Sequence, residues 1–111
     1  MSPSNELENK IDSYTFNHDY MIKRKMYGGI SYLLSGNMCF GIYKNQLVLR
    51  ISPEEAEELL KLNHISTFDV SEPPMEGCLL IGMDFFTSDD MLTEILDIGI
   101  KYAAGLPAKT T

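Results

Sequence analysis

From Met21 to Ile51 the apolar positions follow strand spacing, and beyond Ser52 and again beyond Ser88 they follow helical spacing. Ile30 to Leu34 and Met38 to Tyr43 flank Ser35-Gly36-Asn37, a strong signal for a tight hairpin with Gly36-Asn37 as its loop. A second turn at Lys44-Asn45-Gln46 leads into Leu47 to Ile51, which predicts a three-stranded antiparallel meander. Ahead of it, Ile22-Lys23-Arg24-Lys25-Met26 is a charged edge strand or a lead-in, and Gly28-Gly29 permits a bulge.

Ser52-Pro53-Glu54-Glu55 is a complete helix start. Ser52 caps, Pro53 takes the first helical position where its missing N–H costs nothing, and Glu55 can close a capping box. Ala56, Leu59 and Leu60 mark the inner face, with an end near Leu62 before His64. Thr67 to Val70 and Cys78 to Met83 are further strand candidates, separated by a connection stiffened by Pro73 and Pro74. The last helix starts at Thr87 or Ser88, carries Met91, Leu92, Ile95, Leu96, Gly99, Tyr102 and Ala103 as a stripe, and stops at Gly105 ahead of Leu106-Pro107. Near the N-terminus, Asn5 to Ser13 can form a short helix with Leu7 and Ile11 on one face, followed by loop at residues 15–19. The expected order is α-β-β-β-α-β-β-α. That is a two-layer α+β domain over 22–107 with helices on one face of an antiparallel sheet, behind a variable segment 1–21 and ahead of a tail 108–111.

A Gly36-Asn37 loop pairs Leu34 with Cys39, Tyr32 with Gly41 and Ile30 with Tyr43. It places Leu33, Met38, Phe40 and Ile42 on the other side with Ser31. Both sides of the hairpin are then apolar, whereas a two-layer domain covers only one with helices. A second cover is expected: a second copy of the chain, another protein, a small apolar ligand, or the N-terminal segment through Phe16 and Tyr20. Tyr27, Tyr32 and Tyr43 suit an interface, each bringing a large apolar body with a polar tip.

The chain has 111 residues and a net charge of −7, which fits one ordinary folded domain and argues against nucleic acid as partner. Lys23-Arg24-Lys25 is the one basic cluster, read as a solvated strand edge. The N-terminus lacks the apolar core of a secretory signal, and no apolar run approaches the roughly 20 residues of a membrane span, so the expected location is the cytoplasm. Cys39 and Cys78 sit in apolar runs without close spacing and read as buried thiols rather than a disulfide.

Chemistry is sparse. His18, His64, Cys39 and Cys78 have no metal-ligand spacing, and no third group orients a Cys–His pair. Gly28-Gly29 enters a strand rather than a helix N-terminus, so it does not make a phosphate loop. Glu54, Glu55, Glu57 and Glu58 form a solvated helix face, and Asp69, Glu72, Asp89 and Asp90 make no acid–base set. No catalytic residue, metal or cofactor is expected.

Residues 25–42 resemble the TfoX/Sxy N-terminal domain family, whose hallmark is a Lys-Met-aromatic-Gly-Gly-Ile segment followed by a Gly-Asn-Met turn. The matching residues are Lys25-Met26-Tyr27-Gly28-Gly29-Ile30 and Gly36-Asn37-Met38. Arg50-Ile51-Ser52-Pro53-Glu54-Glu55-Ala56, Pro74-Met75-Glu76-Gly77 and Leu106-Pro107 extend the likeness across about residues 22–107. The resemblance implies a small α+β domain of the secretion-chaperone-like type and a bacterial source. Longer members, which carry a second helical domain, regulate competence genes alongside the cyclic-AMP receptor protein rather than as enzymes. The expected function is therefore a non-enzymatic protein-interaction or regulatory module, working with a protein partner or as a homodimer. Its expected surface is Tyr27, Gly28, Gly29, Tyr32, Met38, Phe40 and Tyr43. The alternative is a small-molecule-binding domain or minor enzyme with a pocket near Tyr32, Cys39 and Tyr43.

Overall fold

In the computed structural model, which describes residues 3–16, 21–26, 29–68 and 77–107, every strand joins one antiparallel sheet. The elements are α1 (Pro3–Thr15), β1 (Met21–Met26), β2 (Gly29–Leu34), β3 (Asn37–Tyr43), β4 (Gln46–Arg50), α2 (Pro53–Leu59), β5 (Ile65–Thr67), β6 (Cys78–Ile81) and α3 (Asp89–Ala104). A short 3-10 turn, Met83–Phe85, precedes α3. The six strands run in the order β1-β2-β3-β4-β6-β5, so β1 and β5 are the edges. Helices pack on this sheet, as the two-layer α+β reading requires.

Both predicted helix starts are present. Ser52 Oγ accepts from the backbone N–H of Glu55 at 3.2 Å, and Ser88 Oγ accepts from that of Met91 at 3.3 Å. The buried residues of α3 are Leu92, Ile95, Leu96, Gly99 and Ala103, the stripe read from the sequence without Met91 and Tyr102, which lie at its margins and are only half-buried. Gly99 is where the helix meets the sheet most closely, because a Cβ there would lie 2.7 Å from the Cys39 carbonyl oxygen. Helix α2 is shorter than expected and ends at Leu59. His64 then takes a left-handed backbone (φ 71°), which turns the chain into β5 at Ile65, two residues ahead of the expected start.

The hairpin is present in a different register. Ser35 and Gly36 form the loop, both with positive φ (51° and 84°), as a primed turn demands. Asn37 is instead the first residue of β3, buried, with its side-chain Nδ2 donating to the Pro107 carbonyl at 2.9 Å. Leu34 pairs with Asn37 and Leu33 with Met38. A bulge at Cys39 then brings Tyr32 opposite Phe40, Ser31 opposite Gly41 and Ile30 opposite Ile42. Tyr32 and Phe40, expected on opposite sides, therefore share one face, with ring centroids 5.5 Å apart.

That face is the main core, where Leu7 and Ile11 of α1 join Tyr32, Cys39, Phe40, Leu49 and the α3 stripe. The far face carries a smaller cluster of Met38, Val48, Phe68 and Cys78, all buried, flanked by Leu33, Tyr43 and Leu80. Phe68, just past β5, packs edge-on against Tyr43 with centroids 5.2 Å apart. Both hairpin faces are indeed apolar, but these far-face residues are already buried within one chain. The N-terminal helix lies on the main-core side, and Phe16 at its end is 83 % exposed.

Candidate interaction surface

Three of the residues expected at an interface are interior. Tyr32 (1 % exposed), Met38 and Phe40 (0 %) are buried. Gly29 and Tyr43 are half-buried, while Tyr27 and Gly28 lie outside the described residues, as do His18, Asp69 and Glu72. Tyr32 and Cys39 belong to the main core and Tyr43 to the far-face cluster, so the sheet separates them and the three do not line one pocket.

Neither thiol is poised for chemistry. Burial pushes the Cys39 thiol up from 9.0 to about 12, against a smaller downward pull from its hydrogen bonding and from Arg50. Burial raises Cys78 as well, again partly opposed by Arg50. Arg50 places its guanidinium carbon 5.8 Å from the centre of the Tyr102 ring, with Nε and Nη1 buried and without a hydrogen-bond partner among the described residues. Between pH 9 and 12 the unfolded chain loses the Cys39 proton while the folded chain keeps it. The stabilisation from this group is complete below pH 9 and is lost as the pH rises towards 12. Urea unfolding at pH 8 and pH 10 should therefore show a larger loss for the native sequence than for Cys39→Ala. Parallel pH profiles would contradict the buried-thiol account.

The basic cluster is split by the fold. Alternation along β1 turns Lys23 towards α1, where it bonds Glu8 and also Asp12 at 3.1 Å, and Tyr32 donates its hydroxyl to the other Asp12 oxygen at 2.8 Å. Burial works against the Lys23 ammonium, but its bonds to Glu8 and Asp12 outweigh that and hold its pKa above the ordinary value. Burial, reinforced by Asp12, raises that of the Tyr32 phenol. The cluster ties α1 to β1 and β2. Glu8 and Asp12, four apart on a helix, were the sequence signal for such a clamp.

Arg24 and Lys25 are different. Both are exposed and neither has an ion-pair partner among the described residues. Arg24 shares its face of β1 with Ile22, which is 51 % exposed. All six residues of β1 pair with β2 without a bulge, and among the described residues no strand pairs with its other edge. The opposite edge, β5, is only three residues long.

Two of the clefts among the described residues bear on a ligand site. One of about 450 Å³ lies between α1 and α3, lined by Lys10, Tyr14, Asp89, Leu92 and Leu96, with Lys10 paired to Asp89 at 3.0 Å. The other, about 470 Å³, is polar and lined by Gln46, His64, Ser66, Gly82 and Asp84. No group of three or more metal-ligating side chains occurs among the described residues. Among the same residues no helix is long and apolar enough to cross a membrane.

The class these features define is a two-layer α+β domain with one long, cationic sheet edge that is unpaired among the described residues. Comparison with protein-family models, curated proteins and solved structures returns no match.

Proposed function

We propose that this chain is a non-enzymatic bacterial interaction module of the TfoX/Sxy N-terminal type, acting in the cytoplasm through protein contacts. The observation that carries the reading is where its chemistry-bearing side chains go. Both thiols sit in apolar clusters and hold their protons, whereas large apolar side chains, Phe16, Ile22, Leu60 and Leu62, remain in solvent. The likeness at Lys25 to Ile30 and Gly36 to Met38 points the same way.

The test places the photo-reactive residue benzoylphenylalanine at Ile22, Leu62 or, as control, the acidic helix face at Glu58, in living bacterial cells. A discrete protein adduct from position 22 or 62 and none from 58 is the expected result. A small molecule that raises the melting temperature, and does so only while His64 is intact, would replace this reading with the ligand-binding one. At about 100 times its dissociation constant such a ligand adds roughly 2.7 kcal/mol, an easily measured shift.

A further inference from the structure

From the free edge of β1 we infer a docking site for an acidic, extended peptide segment that adds to the sheet as a seventh strand beside β1; this rests on the interaction-module reading above. A peptide strand is the ligand that matches a row of outward backbone donors and acceptors, and β1 offers six residues in unbroken register for it. Side chains then set the choice of partner. Lys23 is committed to Glu8 and Asp12 and faces α1, so it does not contribute to recognition. Arg24 and Lys25 have no ion-pair partner among the described residues of a chain whose net charge is −7.

Carboxylates on the incoming strand next to Arg24 and Lys25 would gain charge-assisted contacts on both faces of the edge. An apolar residue beside Ile22 would cover its exposed surface. In antiparallel pairing the segment reads acidic, acidic, any residue, apolar. A second copy of the chain fits poorly, because two-fold antiparallel pairing of β1 with itself lays the basic run Lys23-Arg24-Lys25 against its own copy, like charge against like. The domain's overall negative charge does not forbid an acidic peptide, since screening confines its influence to about 8 Å at physiological salt. A nucleic acid would satisfy the two cations but not the backbone row.

The experiment is fluorescence anisotropy with the full chain and three labelled probes. These are a short valine–threonine peptide with two adjacent glutamates followed by one threonine and then an isoleucine, the same peptide with lysines in place of glutamates, and a single-stranded DNA. The glutamate peptide should bind at least tenfold tighter than the lysine peptide. Arg24→Glu with Lys25→Glu should reverse that order while leaving the melting temperature unchanged, and the milder Arg24→Gln with Lys25→Gln should abolish the preference. Equal binding of the two peptides, indifference to these substitutions, or tighter binding of DNA would overturn the inference. In each of those cases an adduct at position 62 would leave the interaction-module reading standing, and its absence at both positions would remove that too.

Discussion

Phe40→Ala should destabilise the fold by about 3–5 kcal/mol, the cost of truncating a fully buried aromatic ring and leaving its cavity partly unfilled. Phe40 has no exposed surface, lies on interior strand β3, and stacks at a tilt on Tyr32. It also sits under α3, where its Cδ2 would be 3.2 Å from a Cβ at Gly99. Domains of this size are stable by about 5–15 kcal/mol, so the substitution removes at least about a fifth of what holds the chain folded and, in the less stable part of that range, most of it. Urea unfolding at neutral pH measures it directly. Phe16→Ala is the control: its ring is exposed, and the change should stay within about 0.5 kcal/mol. Equal small effects at both positions would mean that Phe40 does not occupy the main core.

Gly99→Val should be nearly as damaging, and Gly99→Ala decides the sign between two opposing effects. Alanine in place of glycine inside a helix gains about 1 kcal/mol of intrinsic propensity. Against that, the new Cβ would stand 2.7 Å from the Cys39 carbonyl oxygen and 3.0 Å from Leu49 Cδ1. The carbonyl belongs to the sheet backbone and cannot swing aside, so α3 must lift; overpacking of this kind costs about 1–3 kcal/mol. The net expectation is a loss of up to about 2 kcal/mol for alanine and more for valine, whose branches widen the clash. Gly105→Ala offers the contrast, because a Cβ there meets nothing closer than 3.6 Å and its backbone is right-handed. That variant should be as stable as the native chain.

The parts of the fold that could be read from sequence are those set by neighbouring residues. Ser52-Pro53 and Ser88-Asp89-Asp90 carry their helix starts locally, and the stripe from Leu92 to Ala103 has one spacing throughout. The hairpin register could not be read that way. Ser35-Gly36 and Gly36-Asn37 are both acceptable primed loops, and the choice is made by Asn37 reaching Pro107, 70 positions away. The bulge at Cys39 is equally non-local, since it lies where Gly99 brings α3 onto the strand. A one-residue change of register turns side chains to the other face, which is why Tyr32 and Phe40 were expected apart and are found together. Likewise α1 runs to Thr15, beyond its expected end at Ser13, and its Lys10 and Tyr14 reach Asp89 and Asp97 on α3.

The surface followed the same division. Lys23-Arg24-Lys25 reads in sequence as three equal cations. Only the placement of α1 consumes Lys23 and leaves Arg24 and Lys25, one on each face of the strand, exposed and without an ion-pair partner among the described residues. The hairpin that dominates the sequence pattern builds the core, and the edge strand beside it carries the free charge.

Amide hydrogen exchange, followed residue by residue with and without the glutamate peptide, tests that division most directly. Slowed exchange confined to alternate amides of β1 (Met21–Met26), with β5 (Ile65–Thr67) unchanged, is the predicted result. Protection that appears instead along the α1–α3 cleft, around His64, or nowhere would contradict it.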